Sequence, residues 1–257
     1  MSGSVRMFNY RFIDRKLSDW ELQALCWAIV HNTLFDPLPK TRQLIKPIPE
    51  KRFKLGTVPQ ESIIKLGKKE YIDSFFESGM LQLGSYSYYN KFNHSEIGDS
   101  KEGIVTLLAK TPSGVIGGTY GSGYNQHIFC ASLGNPDRKT MERFGYDSGF
   151  VVNDPIGFSN AIAESIGAVS HTFSRCLYRP HKAVLGFPRK TINPHIISHQ
   201  SAEIVNAAKH FIKPERYSHQ KEFRFLWEMP SDLSGSEVID CSSAIQYCSP
   251  LSLNDLS

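Results

Sequence analysis

From Glu222 onward the chain alternates strictly, in "EFRFLW". Successive side chains of an extended strand point to opposite faces. Phe223, Phe225 and Trp227 therefore share one face, and Gln220, Glu222 and Arg224 the other. The pattern predicts a strand with an aromatic buried face. Other runs predict strands at "RFKLGTV", ending at Gly56-Thr57, at "MLQLG", "NQHIFCASL", "GFVV", "AVLGF" and "SEVID". "GIVTLLAKTPSGVIGGTY" predicts a hairpin turning at Pro-Ser-Gly. Helical spacing through Ile63, Ile64, Tyr71, Ile72, Phe75 and Phe76 predicts a helix stopped by Gly79. Further helices are predicted around Arg138 to Phe144, after an Asp154 cap with Pro155 at its first position, and over "SAEIVNAAKHF".

The first fifty residues read differently. Ser18-Asp-Trp-Glu21 is a capping box, and a helix with a wide apolar face follows to about Leu34. "DPLP" ends it, and a basic, Pro-broken stretch leads on. The expected organisation is a helical extension and linker over 1–50 and one domain over 51–257. Strands outnumber helices and several neighbours join through hairpin-like turns, so the fold class is α+β.

Composition narrows little. The 257 residues are 40% apolar, enough for one sizeable core. A net charge of +4 permits a nucleic-acid partner without demanding one. No apolar run approaches the ~18 residues that span a bilayer, and the N-terminus lacks the apolar middle of a signal peptide. The five cysteines are odd in number and form no CxxC, which disfavours a disulfide scaffold and a thiolate zinc site. A reducing cytoplasm fits best; a secreted effector leaving by a signal-free route has the same composition.

Several motifs resolve to bland readings. Gly117, Gly118, Gly121 and Gly123 fit neither phosphate-binding spacing, and read as a loop between strands. His195 and His199 stand four apart without HExxH, so no metal is expected. No GxSxG anchors a hydrolase triad. "RCLYRPHK", with Arg175, Arg179 and Lys182, is either an exposed basic loop or a nucleic-acid contact. Asp99 and Glu102 read first as a polar turn before the hairpin.

The polar face of "QKEFRFLW" has two readings. One is a solvated face with a Glu–Arg neighbour pair. The other is a Gln-x-Glu catalytic pair. A carboxylate there can hydrogen-bond a ribose hydroxyl and stabilise an oxocarbenium-like sugar cation. Nicotinamide leaves NAD as a neutral molecule, so one carboxylate suffices, and the Gln two residues earlier can position the acceptor.

The ordered set "FKLGTV", "LQLGSYSYYN" and "QKEFRFLW" resembles the ADP-ribosyltransferase superfamily, the diphtheria-toxin-like and poly-ADP-ribose-polymerase-like enzymes. It also resembles an uncharacterised bacterial family with an Asp-x-x-Glu-Gly stretch and a late Lys-Glu-Trp/Phe-Arg. The resemblance covers roughly Arg52 to Trp227. It implies a split β-sheet core with flanking helices and NAD as substrate. It implies that Gly56 and Thr57 match a Gly-Thr at the end of the first strand, and that Tyr86 or Tyr89 stacks on nicotinamide. Glu222 becomes the catalytic carboxylate and Gln220 its partner; Arg179 and Arg224 become acceptor contacts. Where the superfamily carries a His before Gly-Thr, this chain has Leu55, so Lys54 or the Gly56 backbone takes over. A second class uses an Arg on the first strand and a Ser-Thr-Ser segment; Arg52 precedes the strand, and Ser132 lies nearest the segment.

The resemblance implies a mono-ADP-ribosyltransferase, an intracellular bacterial toxin of a toxin–antitoxin or phage-defence system. It would modify a nucleic acid or a protein and be held in check by an antitoxin protein. The alternative is a degenerate nucleotide- or RNA-binding module of the same fold, which Leu55 favours.

Overall fold

The computed structural model describes residues 5–7, 55–91, 103–111, 114–121, 123–135, 138–179, 183–186 and 209–251. The expected N-terminal helix, Arg52, Lys54, Asp99, Glu102, Lys182 and the His195/His199 pair lie outside them. In chain order the elements are β1 (Val5–Met7), β2 (Ile63–Gly67), α1 (Lys69–Ser78), β3 (Met80–Ser85), α2 (Tyr86–Lys91), β4 (Ile104–Thr111) and β5 (Gly114–Gly121). There follow β6 (Gln126–Leu133), α3 (Arg138–Phe144), β7 (Ser148–Val152), α4 (Pro155–Ile166), β8 (Ser170–Arg175), β9 (Leu177–Arg179), β10 (Ala183–Gly186) and β11 (Ile212–Pro214). A 3-10 helix at Glu215–Gln220, β12 (Glu222–Glu228), β13 (Glu237–Asp240), a second 3-10 helix at Ser242–Tyr247 and β14 (Cys248–Pro250) complete the described chain. The mixture is α+β, with mostly antiparallel strands.

The chain divides into two compact units. One comprises Met1–Phe53, Gly103–Ser122 and Tyr178–Glu215. It holds the expected β4–β5 hairpin, flanked by β1 and by β10, which runs parallel to β4. A two-stranded pair, β9 with β11, accompanies it, and residues 209–211 are helical, the described end of the helix expected there.

The second unit comprises Lys54–Glu102, Gly123–Leu177 and Arg216–Ser257. Its sheet runs β13-β3-β6-β2-β7-β14, with β12 on the other side of β6 and β8 beyond β12. One edge of β6 serves two strands. β3 takes its start, Gly84 opposite Ile128 and Ser85 opposite His127. β2 takes its end, Ile63 opposite Leu133 and Ile64 opposite Ser132. Residues 129–131 of β6 lie between these pairings, so the sheet is split along that edge.

Alternation builds the core. Phe129, Ala131 and Leu133 of β6 and Phe223, Phe225 and Trp227 of β12 face one side, where α1 and α4 bring Phe75, Phe158 and Ile162. Phe75 stacks on Phe150 with centroids 4.9 Å apart, and Phe158 meets Phe225 edge-on at 5.3 Å. Such pairs add about 1 kcal/mol beyond burial. The Trp227 indole donates to the Ser159 carbonyl at 2.9 Å, so its polar atom is satisfied in the interior. Asp154 caps α4 as expected, its carboxylate accepting from the Ile156 and Gly157 amides at 3.0 Å each. Gly79 ends α1 with φ +75°, and any Cβ there would meet the Ser242 backbone at 2.5 Å.

Three expectations are corrected. Gly117, Gly118 and Gly121 lie in strand β5, not in a loop between strands. Ile63 and Ile64 form strand, not helix; the helix starts only at Lys69. The spacing of Tyr71, Ile72, Phe75 and Phe76 misled by running on from a β-branched pair, and a single helix would have buried Gly67 in its interior. As a strand, Ile63 reaches the core while Ile64 and Leu66 pack with Met141 on the opposite face. The described part of "RFKLGTV" is also not a strand end. Leu55 and Gly56 form a turn, with Gly56 at φ +66° and its amide donating to the Phe173 carbonyl of β8 at 2.8 Å.

Candidate functional site

The face of β12 opposite the core carries Glu222 and Arg224. The solvated reading of this face does not hold: Glu222 is 5% exposed and Arg224 2%. The Arg224 Nε donates to Glu222 Oε1 along the strand. Such burial disfavours charge unless it is paired, and here the pair is made within three residues. Glu222 stands opposite Ser132 of β6; Arg224 stands between Cys130 of β6 and Ser174 of β8.

Gln220 does not extend the strand as alternation suggested. It is the last residue of the 3-10 helix, and Lys221 between it and Glu222 has φ +44°. Lys221 is the one non-glycine with positive φ among the described residues. Its carbonyl accepts from the Leu133 amide at 2.9 Å and its amide donates to the Ser218 carbonyl at 3.3 Å. This turn delivers the buried Gln220 and Glu222 from two differently oriented segments.

The two candidate tyrosines are placed differently. Tyr86 is fully buried. It follows Ser85, whose hydroxyl accepts from the Tyr88 amide at 3.2 Å and starts α2. Tyr89, one turn later, folds over Gly84: a Cβ there would lie 2.5 Å from its ring. Burial drives the Tyr89 phenol well above its usual range, Cys130 and Glu222 push it further, and Arg224 opposes them. Tyr89 thus lies within electrostatic reach of the Glu222–Arg224 pair. Tyr88 meets it edge-on at 5.3 Å. Tyr146 joins the group; burial raises its phenol to about 12, with Cys130 and Tyr88 contributing.

Lys65 is the residue that pattern reading missed. Its Nζ donates to the Cys130 carbonyl at 3.0 Å and sits 4.8 Å from the Phe129 ring centroid, so the amine fills the split beside β6. Burial pulls its pKa down, while Cys130 and Glu222 partly restore it. The signal in the sequence was a lone lysine inside "IIKLG", an apolar strand that gives a cation no reason to be there.

Gly56 and Thr57 are exposed in their turn. Arg175 is paired with Glu61 at 3.0 Å on the surface. Arg179, on β9, is half-buried. Arg224 is turned along its own strand to Glu222, not outward to an acceptor. Among the described residues, no three His, Cys, Asp or Glu side chains cluster as a metal site would need, and no helix is long and apolar enough to cross a membrane.

Chemically, a buried carboxylate can accept from a hydroxyl group, and the arginine and lysine beside it are cations, the arginine buried and the lysine half-buried. Compared with protein-family models, with curated proteins and with solved structures, the chain has no match.

Proposed function

We propose that the chain is an NAD-dependent mono-ADP-ribosyltransferase. The observation that carries this reading is Glu222, buried at the start of β12 opposite Ser132, with Tyr89 in electrostatic reach and a split in the sheet on the far edge of β6. The superfamily's second class joins a first-strand cation, a serine segment and a late glutamate. Lys65 on β2, Ser132 on β6 and Glu222 on β12 supply such a set, with lysine for arginine.

In the proposed reaction, Glu222 hydrogen-bonds a hydroxyl of the nicotinamide ribose. The bond from ribose C1′ to nicotinamide nitrogen breaks, its electron pair leaving with the ring as neutral nicotinamide. The carboxylate stabilises the cation left on the sugar. Tyr89 stacks on nicotinamide, Lys65 attracts the negatively charged pyrophosphate, and Gln220 orients the acceptor. The acceptor's nucleophile bonds to C1′ and gives up its proton to solvent water. The acceptor is a nucleic acid or a protein, and the setting is a bacterial toxin with a neutralising antitoxin, as the resemblance implies.

The test incubates the protein with NAD labelled in the adenylate phosphate and with cell extract, beside Glu222→Gln. Transfer of label by the parent alone supports the reading; no transfer and no nicotinamide release across varied extracts overturns it. A second reading, a binding module without turnover, is favoured by Leu55 and by the Gly56 turn, which leave the superfamily's His-Gly-Thr strand unmatched. It expects NAD to bind without nicotinamide release.

A further inference from the structure

We propose that Arg224 is the positioning residue for Glu222, holding its carboxylate in the orientation that the ribose hydroxyl requires. This rests on the reading of Glu222 as the catalytic carboxylate. Arg224 lies inside β12, paired on both sides, with Cys130 across one edge and Ser174 across the other. Glu222 is the first residue of the strand and follows the left-handed Lys221, while its pairing to β8 begins only at Phe223. The arginine's backbone is fixed by the sheet on both edges, and the Glu222 carbonyl accepts from the Cys176 amide at 2.8 Å. Two residues apart on one face, the two side chains meet when the arginine lies back along the strand, and its Nε reaches Oε1.

Lys65 and Tyr89 are also electrostatically coupled to Glu222, and Cys130 shares its face. The Lys65 amine is engaged with the Cys130 carbonyl. Arginine suits the role because its planar guanidinium keeps its charge when buried and fixes a carboxylate by direction as well as by attraction. An adjacent cation also favours the carboxylate over the acid. A lysine on the same backbone keeps the charge but loses the Nε donor.

The experiment compares the parent with R224K, R224Q and E222Q. Circular dichroism first establishes that each is folded; R224K, which keeps the charge, is the variant that remains if R224Q is not. Nicotinamide release from NAD is followed between pH 5 and 9, and the Glu222 carboxylate is titrated by carbon NMR, assigned by its loss in E222Q. R224K and R224Q should lower kcat by ~10²-fold, the cost of a small misplacement, with KM for NAD little changed. In R224Q the acidic limb and the Glu222 titration should move together to higher pH. Parent-like kcat in R224K and an unmoved acidic limb in R224Q overturn the proposal while E222Q inactivity leaves the transferase reading intact. If the parent releases no nicotinamide, that reading fails. The NMR titration still decides on Arg224, because an unshifted Glu222 signal in R224Q overturns its hold on the carboxylate.

Discussion

Glu222 and Ser132 face each other directly across β12 and β6, one opening its strand and the other one residue from the end of its own. On the proposed reading, Glu222→Gln removes the negative charge that meets the sugar cation. Nicotinamide release should fall by 10²- to 10³-fold, about what loss of one preorganised electrostatic partner costs. Ser132→Ala should lower it far less. A Glu222→Ala variant should in addition lose about 3 kcal/mol of stability in urea unfolding, because it removes the carboxylate partner of a buried arginine.

Gly84 makes room for Tyr89. Alanine there puts a carbon 2.5 Å from the ring and 2.7 Å from the phenol oxygen, and the ring must move. Gly84→Ala should cost about 1–3 kcal/mol, as overpacking does, and weaken NAD binding measured by calorimetry. Gly235→Ala, where a Cβ meets nothing within 4 Å, should leave binding unchanged. Equal NAD affinity in both variants would remove Tyr89 from the site.

Lys65 is held at a cost. Its pKa lies below the unfolded 10.5, so the unfolded chain binds the extra proton, and stability rises with pH from the folded value up to 10.5. Below the folded value the charged amine opposes folding. Lys65→Met should therefore be as stable as the parent or more so, and the parent should close the gap between pH 7 and 9.5 in urea midpoints. Activity should be lost in the variant at both pH values.

Lys221 adopts a left-handed conformation that costs an L-residue roughly 1 kcal/mol and glycine almost nothing. Lys221→Gly should gain a few tenths to about 1 kcal/mol, and Lys221→Val should lose more than 1 kcal/mol, in thermal unfolding. A loss on Lys221→Gly would show that the lysine side chain itself contributes there.

His127 is fully buried on β6, with the Glu237 carboxylate of β13 3.2 Å from its Nε2. Burial lowers its pKa below the unfolded 6.5, against the pull of Glu237. The unfolded chain then takes up the proton first as pH falls. The stability is present above pH 6.5 and lost as pH drops from 6.5 toward the folded value. Urea midpoints between pH 7.5 and 5 should decline more in the parent than in His127→Gln.

The periodicities that read cleanly were those with one competing answer. "EFRFLW", "QHIFCASL" and the Asp154-Pro155 cap each state their local structure, and each is found. Ile63–Gly67 did not, because five residues carry too little periodicity to separate strand from a helix running into Lys69; β6 and β7 decide it by offering their edges. Glu222 and Gln220 were legible as chemistry but not as geometry, since nothing in "QKE" announces a left-handed lysine between them. Lys65 is close to Cys130 only through the split of the sheet, a relation between residues 65 apart that no local window contains.

The place of β12 sets an order of events. It lies between β6 and β8, strands made long before it on the ribosome. Until residues 222–228 emerge, those two strands have no common partner, and the pairing that seats Glu222 against Ser132 does not exist. On the proposed reading an interrupted chain is therefore inert: the Glu222 carboxylate and the piece that closes the sheet around it arrive as one segment.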